Sequence, residues 1–585
     1  MSATLRLWPG RLVRRRVQDW PDWSRVALGV VLVGAGLTLL PRPLSALEVL
    51  GWAVGVGAAL WGVLELARRD ASLLRRLAGL LAVAAGAAVL LQPDSSLGWI
   101  GTVVAAGLLV TGAARVAQVR SGTTGSRVAA GLLGSAEVVL GVVALTWPDV
   151  TLVTIALVFS IRLTVLGVST LLDLARHRDP DRVRSEPDPL RRSLRVVWAV
   201  VAFSMTLLLL WSSVVLREST PPGRFYSAPA EAAATGPAGE LLRAERFTRQ
   251  VPSGAEGWRI LYRTRDLLDR PTVASALVVL PRSSGDHPVV AWAHGTTGMT
   301  RQCAPSLLDE PFSAGGFPEM MPTVVERGWA VVATDYAGLG TAGTQPYLVG
   351  RGEAHSVLDA VRAARRLTAS DRTTSTLSDR TVVWGHSQGG GAALWTSQLQ
   401  PSYAPDVPLS GTAAMAPAAD LVPVVRDLAD TDAGTLFVAY VVTAFADLYP
   451  DVRRTDVLRP AAVPLVAEIA QRCPSEPGTF ASVITALSVK NQAVLAEEPG
   501  QGAWGDRLRE NTPTDPGPSP LLVAQGARDD LVRPGVQAAY VKRLRAAGHA
   551  VDYRTYKGLD HATLVEKGSA LLPQLLDWTQ ERLEP

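Results

Sequence analysis

The sequence has 585 residues, enough for two or more domains, and 48% of them are hydrophobic, with a mean hydropathy of +0.19. This apolar content is high for a purely soluble protein, and it is uneven: residues 25–216 are dominated by Leu, Val, Ala and Gly, whereas an ordinary globular composition follows from about residue 218. The net charge of +4 comes largely from arginines between the apolar segments, so it gives no reason to expect a nucleic-acid ligand.

Seven apolar segments approach or reach the roughly 20 helical residues that cross a bilayer core. They lie at about residues 26–40, 47–67, 77–92, 98–117, 128–147, 151–172 and 196–216. The first segment lacks a convincing small-residue cleavage site and six more follow it, so it is interpreted as a retained anchor rather than a cleaved signal peptide. The pattern predicts an all-α transmembrane bundle over residues 1–216.

The first six segments form three repeats, each with a proline between its two apolar halves. Pro41, Pro93 and Pro148 occupy matching places in LLPRPLSALEVLGWAVG, LLQPDSSLGWIGTVVAA and LTWPDVTLVTIALVFSI. Because proline cannot continue a helix, each repeat is predicted to be a helical hairpin with a tight turn. Over about residues 22–175 this pattern resembles the HdeD-like family of small bacterial membrane proteins, which brings no catalytic residues with it.

Arginines concentrate in alternate loops of this region, which predicts its orientation in the membrane. They are Arg11, Arg14, Arg15, Arg16, Arg68, Arg69, Arg75, Arg76, Arg115, Arg120, Arg127, Arg176, Arg178, Arg182, Arg184, Arg191, Arg192 and Arg195. The intervening loops hold only Arg42. By the positive-inside rule the N-terminus is cytoplasmic, and seven spans then leave everything after Leu216 on the extracytoplasmic side of the cell membrane.

The remaining chain divides by composition into a linker and an α/β domain. Residues 217–245 are rich in Pro, Gly, Ala and Ser and predict a flexible linker. Over residues 246–585, short apolar runs such as VVAWAHG, TVVWGHS and LLVAQGA alternate with helix-length segments, which predicts a mostly parallel sheet. Amphipathic stretches at about 418–515 predict a helical cap that covers a site, the alternative being a structural insertion without substrate contact.

The stretch TVVWGHSQGG fits the pattern G-x-S-x-G through Gly385, Ser387 and Gly389, with a strand signal before it and a helix signal after it. In a nucleophile elbow the serine occupies a sharp strand-to-helix turn, where side chains at the two glycine positions would collide with the neighbouring backbone. The alternative interpretation is a glycine-rich turn with no catalytic role.

A serine nucleophile requires a base and an orienting carboxylate, which follow it in the order acid and then histidine in α/β-hydrolases. Beyond Ser387 the histidines are His549, which opens a predicted strand, and His561, in the loop YKGLDHATLV before the C-terminal helix. We favour His561 as the base. Asp529 and Asp530 follow the strand LLVAQGA, and the position of Asp529 favours it as the acid over its neighbour.

A developing oxyanion requires preorganised N–H donors. The main-chain N–H of Gln388, directly after the serine, is one candidate. The segment AWAHGTTG supplies the second at Thr296, after a predicted strand end. His294 in the same segment is expected to satisfy a turn and to transfer no proton.

Three segments, AWAHGTTGMTRQCAPS, DYAGLGTAGTQPYLVGRGEAHSVLDAVRAAR and GHSQGG, together resemble the secretory lipase family of α/β-hydrolases, the lipase A type with a helical lid, over about residues 245–583. The resemblance implies hydrolysis of acyl-lipid or aliphatic esters without a metal. It assigns the nucleophile to Ser387, the acid to Asp529 and the base to His561. It assigns the oxyanion donors to Thr296 and Gln388. The seven spans depart from the family's cleaved signal and argue against a freely diffusing enzyme.

The only two cysteines, Cys303 and Cys473, both lie in the half that is predicted to be exported. An oxidising compartment permits a disulfide between them, which would join the cap to the catalytic core. The secretory lipase resemblance also suggests this bond. The alternative is two unpaired buried thiols.

Two charged residues, Glu137 and Arg162, lie within the fifth and sixth apolar segments at similar distances from Pro148, and hence at similar depth. Because lone charges are costly inside a bilayer, they predict an ion pair that holds the third hairpin together.

Together these patterns predict a membrane-tethered serine carboxylester hydrolase or lipase that acts on acyl esters at the extracytoplasmic face through a Ser-Asp-His triad and an acyl-enzyme intermediate. Three alternatives stay open: an acyltransferase with the same triad, an exported serine peptidase, and a non-enzymatic membrane protein with a hydrolase-like binding domain. No cofactor, metal, nucleic acid or obligate protein partner is expected.

Overall fold

The computed structural model describes residues 20–68, 72–117, 119, 124–175, 189–217, 220–228, 235–370, 372–431 and 434–584. These residues form two compact units. The first unit contains the chain up to Val215 together with residues 460–465 and 487–493, and the second unit contains the remainder. Several arginines of the orientation argument lie outside the described residues, namely Arg11, Arg14, Arg15, Arg16, Arg69, Arg120, Arg176, Arg178, Arg182 and Arg184. Residues 218–219 and 229–234 of the predicted linker lie outside them too.

Among the described residues of the first unit, seven helices are long and apolar enough to cross a membrane, judged by length and composition. They are α1 Asp22–Leu39, α2 Pro43–Ala67, α3 Leu73–Leu91, α4 Pro93–Ala117, α5 Thr124–Thr146, α6 Pro148–Ala175 and α7 Pro189–Val215. The seven predicted segments are therefore confirmed as helices, all of which begin a few residues earlier than predicted. They indicate a multi-pass membrane protein.

Prolines begin the second helix of each repeat. Pro43, Pro93 and Pro148 are the first residues of α2, α4 and α6. Proline suits this position because the N–H that it lacks would have no partner inside the helix. In the first repeat, the proline equivalent to Pro93 and Pro148 is therefore Pro43, and Pro41 lies in the turn after α1. The connections between the paired helices are short, as predicted.

The closest helix packing in this unit joins different repeats rather than the two halves of one repeat: α2 packs on α3 and α4 on α5, between successive repeats, and α1 packs on α6, between the first repeat and the third. Glycines face each other at all three contacts. The pairs are Gly62 and Gly79, Gly112 and Gly134, and Gly167 and Gly29. A Cβ atom on the first glycine of each pair would lie closer than 3.0 Å to the carbonyl oxygen of the second. Small residues therefore let the helices approach, which is how apolar helices associate in lipid.

Glu137 in α5 forms an ion pair across this helix contact. Arg115 Nη2 on α4 lies 3.1 Å from Glu137 Oε1 on α5. The predicted Glu137–Arg162 ion pair is therefore wrong. The prediction failed because of helix packing: α5 contacts α4 far more extensively than it contacts α6. The ion pair joins the second repeat to the third instead of closing the third hairpin.

A nine-stranded sheet forms the centre of the second unit, in the order β1-β2-β3-β5-β4-β6-β7-β8-β9. The strands are β1 Leu241–Phe247, β2 Ala255–Arg265, β3 Pro271–Pro281, β4 Gly285–Ala293, β5 Ala330–Thr334, β6 Ser375–His386, β7 Leu409–Met415, β8 Leu521–Gly526 and β9 Val551–Tyr556. The pairs from β1 to β5 along this order are antiparallel and the remaining pairs are parallel. The parallel strands direct their carboxyl ends to one edge, as in other α/β folds.

Helices cover both faces of the sheet. The described helices after α7 are, in chain order, α8 Met321–Glu326, α9 Gly350–Thr368, α10 Gln388–Tyr403, α11 Leu421–Ala429, α12 Gly434–Leu448, α13 Arg454–Val457, α14 Ala462–Ile469, α15 Thr479–Val489, α16 Gly502–Glu510, α17 Pro534–Ala546 and α18 Leu571–Leu583. Val383 packs with α9 and α10 on one face, whereas the adjacent Trp384 packs with α8 and α18 on the other. Helices α11 to α16 all lie between β7 and β8, where the helical cap was predicted.

Candidate active site

Ser387 occupies a strained turn between β6 and α10. Its backbone has φ 58° and ψ −120°, in a region that residues other than glycine rarely adopt. A Cβ atom on Gly385 would overlap the Gly389 carbonyl oxygen, and one on Gly389 would overlap the Ala293 carbonyl oxygen. The close backbone approach therefore requires both glycines of the motif, and it presents Ser387 at the carboxyl end of a central strand.

Two hydrogen bonds join Ser387 to a histidine and an aspartate. His561 Nε2 lies 2.8 Å from Ser387 Oγ, and His561 Nδ1 lies 2.8 Å from Asp529 Oδ2. A carboxylate only accepts hydrogen bonds, so Nδ1 donates to Asp529 and Nε2 is left to accept the serine hydroxyl proton. The fold thus brings together three residues that are far apart in the chain.

Asp529 is buried and its carboxylate is held by further donors. Its Oδ1 accepts two main-chain N–H groups, at 3.0 and 2.8 Å, and its Oδ2 accepts Gln525 Nε2 at 2.9 Å. The neighbouring Asp530 is exposed. His549, the other candidate base, lies 3.8 Å from Asp515 instead. Asp529 and His561 thus lie in a chain of hydrogen bonds with Ser387, and the described contacts of Asp530 and His549 do not include Ser387.

Two main-chain N–H groups are available beside Ser387. Thr296 lines the same cavity as Ser387, and Gln388 is the first residue of α10. Within the described part of the chain, neither N–H donates to another protein group. The first N–H groups of a helix have no intrahelical acceptor, so Gln388 can donate to a bound anion. His294 contacts two main-chain carbonyl oxygens, at 2.6 and 3.3 Å, in keeping with the turn role expected of it.

His386, which the sequence interpretation left without a role, contacts the histidine of the site. Its Nε2 donates to the His561 carbonyl oxygen at 2.9 Å, and the two ring centroids are 4.8 Å apart. Burial and, to a smaller extent, the nearby His561 together lower the pKa of His386 to about 3. The ring is therefore neutral and keeps its proton on Nε2. The only signal in the sequence was its place before the serine in GHSQGG.

A cavity of about 260 Å³ lies over Ser387 and His561. Small and apolar residues form much of its lining, including Gly315, Gly316 and Phe317. Phe437 from α12 also lines it, so the helical segment between β7 and β8 contacts the cavity rather than lying apart from it. Among the described residues, no group of three or more His, Cys, Asp or Glu side chains is arranged to hold a metal ion.

Cys303 and Cys473 form a disulfide, with Cα atoms 5.3 Å apart across 170 residues of chain. The bond links the segment that follows Thr296 to the segment between α14 and α15. The predicted pairing is confirmed, and the alternative of two free thiols is wrong.

Comparison with known families agrees with both resemblances drawn from the sequence. Residues 319–585 match the secretory lipase family. Residues 27–73, 77–137 and 132–185 match a family described as a short repeat of unknown function, DUF308. The two halves of the chain therefore match two different families.

Individual relatives are distant. Lipase 5 of Candida albicans is 26% identical over 245 residues, which cover 39% of this chain and 50% of the relative. The protein named Probable inactive lipase MT1628 of Mycobacterium tuberculosis is 26% identical over 384 residues, or 61% and 81% of the two chains. The chain thus spans about half the length of the first of these relatives.

A solved structure of Candida antarctica lipase A in its closed state superposes with a TM-score of 0.52 and 18% identity, covering 62% of this chain and 87% of that one. This similarity shows a shared fold. The second unit accordingly has an α/β fold that resembles the fold of that lipase.

Proposed function

We propose that the chain is a membrane-tethered serine carboxylester hydrolase, of the esterase or lipase type, that acts on acyl esters at the extracytoplasmic face. The observation that carries the proposal is the pair of 2.8 Å hydrogen bonds that connect Asp529, His561 and Ser387. The match of residues 319–585 to secretory lipases supports the same class of reaction. In this proposal residues 1–216 form the membrane domain, 217–245 the linker, and 246–585 the hydrolase domain, with its cap at about 418–515.

The reaction begins when His561 Nε2 takes the hydroxyl proton of Ser387 and Oγ attacks the carbonyl carbon of the ester. Negative charge develops on the carbonyl oxygen, where the N–H groups of Thr296 and Gln388 stabilise it. Asp529 stabilises the imidazolium that forms. His561 then gives its proton to the leaving alcohol, and an acyl group remains on Ser387.

Water completes the reaction by the reverse use of the same groups. His561 takes a proton from a water molecule, whose oxygen attacks the acyl carbon of the acyl-enzyme. Collapse of the second tetrahedral intermediate returns the proton to Ser387 and releases the carboxylic acid. An acyltransferase would differ only at this step, where an alcohol would replace water.

The extracytoplasmic location rests on the distribution of arginines along the seven segments. The disulfide between Cys303 and Cys473 agrees with it, because disulfides persist in oxidising compartments. The orientation is tested with single cysteines introduced at exposed positions after residue 235 and a membrane-impermeant thiol reagent added to intact cells. Labelling only after permeabilisation would contradict the extracytoplasmic location.

Activity is tested with the full-length chain in lipid nanodiscs, by hydrolysis of p-nitrophenyl esters of graded acyl length and by labelling with a fluorophosphonate. Ser387→Ala is expected to abolish labelling and to lower turnover by on the order of a thousandfold or more, because only binding and oxyanion stabilisation remain. The matched control is Ser402→Ala in the exposed part of α10, which should behave as the wild type. Equal turnover in Ser387→Ala and wild type would refute the mechanism.

A further inference from the structure

Glu353 on α9 is an acidic residue buried against the corner that holds Ser387, with an exposed fraction of 1%. Its Oε1 accepts hydrogen bonds from Gln388 Nε2 at 2.6 Å and from the Leu348 main-chain N–H at 3.1 Å. No described lysine, arginine or histidine forms an ion pair with it. A buried carboxyl group without a cationic partner requires an explanation, because burial of a lone charge is costly.

The geometry around Glu353 suits a neutral carboxyl group. Both donors converge on Oε1, which acts as a carbonyl oxygen with two lone pairs, and no described donor reaches Oε2, where the proton would reside. Burial raises the pKa of Glu353 to about 8, an effect that the bonds from Gln388 and Leu348 partly oppose. The titratable groups that face it from neighbouring segments are the hydroxyls of Tyr336 and Tyr347, whose pKa values burial also raises, so they carry no charge.

Glu353 acts on a residue of the proposed oxyanion site. The Gln388 side-chain oxygen is buried without a hydrogen-bond partner among the described residues, so the hydrogen bond to Glu353 is the one that its side chain makes there. Gln388 also carries the main-chain N–H that follows Ser387. The second proposed donor belongs to Thr296, whose Oγ1 lies 2.8 Å from the hydroxyl of Tyr347. Buried polar side chains thus contact both residues that carry the proposed N–H donors.

We propose that Glu353 is a positioning residue, whose neutral carboxyl group fixes Gln388 and thereby holds the adjacent main-chain N–H against the oxyanion. This inference rests on the proposed ester hydrolysis. An ionised carboxylate at the same place would put a negative charge near the developing oxyanion and would weaken its stabilisation. Loss of the Glu353 proton therefore lowers kcat, whereas substrate binding, which precedes charge development, changes little.

The test compares Glu353→Gln and Glu353→Ala in the full-length chain in nanodiscs, with kcat and KM measured between pH 6 and pH 9.5. Glu353→Ala removes the acceptor of Gln388 and is expected to lower kcat on the order of tenfold at neutral pH with KM little changed, as for other small misplacements of a catalytic group. Glu353→Gln keeps a neutral acceptor and should restore most of this loss. The wild type should lose kcat above about pH 8, and Glu353→Gln should not.

The matched control is Glu326→Gln, at an exposed glutamate outside the cavity, which should keep the alkaline loss of kcat of the wild type. Persistence of this alkaline loss in Glu353→Gln, or a wild-type kcat in Glu353→Ala, would overturn the inference. Should Glu353→Ala fail to fold, the pH profile of Glu353→Gln decides.

A second measurement separates this inference from the proposed function. The pKa of Glu353 is raised in the folded state, from 4.5 to about 8, so its protonation stabilises the fold at low pH and this stabilisation is lost as pH rises through about 8. As pH rises from 4.5 to 8, the unfolding midpoint of Glu353→Gln should therefore increase relative to that of the wild type. Parallel midpoints would refute the neutral carboxyl. A growing gap in a chain that hydrolyses no ester would instead refute only the proposed function.

Discussion

Gly389, at the start of α10, and Ala293, at the end of β4, are in such close backbone contact that a Cβ atom on Gly389 would overlap the Ala293 carbonyl oxygen. Strands β4 and β6 are neighbours in the sheet, so this contact fixes the depth at which the turn with Ser387 sits above them. The elbow is therefore a feature of three adjacent segments rather than of the pentapeptide alone.

Gly389→Ala should consequently destabilise the second unit by about 3 kcal/mol or more, since the methyl group has only rigid backbone to displace. Ester turnover should be lost with it. Chemical denaturation followed by tryptophan fluorescence measures the first effect. The control is Gly535→Ala on α17, where a Cβ atom meets nothing within 4 Å and the change should be neutral or slightly stabilising. Equal stability of the two variants would contradict the assigned contact.

The two adjacent aspartates after β8 should differ sharply. Asp529→Asn removes the charge that orients His561, and should lower kcat by on the order of a thousandfold or more. Asp530→Asn alters an exposed side chain and should leave kcat within about twofold, as most surface changes do. Steady-state kinetics on one ester compare them, and the reverse ranking would assign the acid to the wrong residue.

The disulfide should leave no free thiol. Alkylation of the denatured, unreduced chain is expected to modify neither Cys303 nor Cys473, as judged by intact mass. Removal of both by Cys303→Ser and Cys473→Ser should cost roughly 2–5 kcal/mol, because the bond closes a long loop in the unfolded chain. Two alkylated thiols would argue against both the bond and the extracytoplasmic location.

Acid should destabilise the second unit through His386. The pKa of this ring is about 3 when folded, below the ordinary value of 6.5, so the unfolded chain binds its proton first. Stability should therefore fall as pH drops from 6.5 to 3, by about 1.4 kcal/mol per pH unit for this group. His386→Gln keeps a side-chain donor but does not titrate, and its unfolding free energy should lack this component. An identical pH dependence of the unfolding free energy in the wild type and in His386→Gln would show that His386 is not the source of this loss of stability.

In the membrane unit, Glu137 should be coupled to Arg115 and not to Arg162. A double-mutant cycle with Glu137→Leu and Arg115→Leu should show a coupling energy of about 0.5–3 kcal/mol, because the two side chains are in contact. The matched cycle with Arg162→Leu should be additive. Unfolding in mixed micelles supplies the free energies, and coupling to Arg162 alone would restore the ion pair expected from the sequence.

Much of the fold and of the candidate site follows from local sequence. Apolar segments of membrane-spanning length, prolines between them and alternating strand and helix signals predicted both halves of the chain. Gly385 and Gly389 identified the elbow because only glycine tolerates so close a backbone approach. Chain order together with the positions of Asp529 and His561 in loops favoured these two residues, since the loops after parallel strands all reach one edge of the sheet.

Partners that depend on packing were decided only by the tertiary structure. Glu137 pairs with Arg115 because helices of successive repeats pack through their glycines, and no spacing within one hairpin carries that information. His386 and Glu353 likewise gain their contacts from segments distant in the chain, the loop at His561 and the start of α10. Hydrophobic periodicity and sequence motifs indicate which face of an element or which turn a residue occupies. Which polar group meets another in the interior depends on how those faces dock, and only the folded chain brings them within hydrogen-bonding distance.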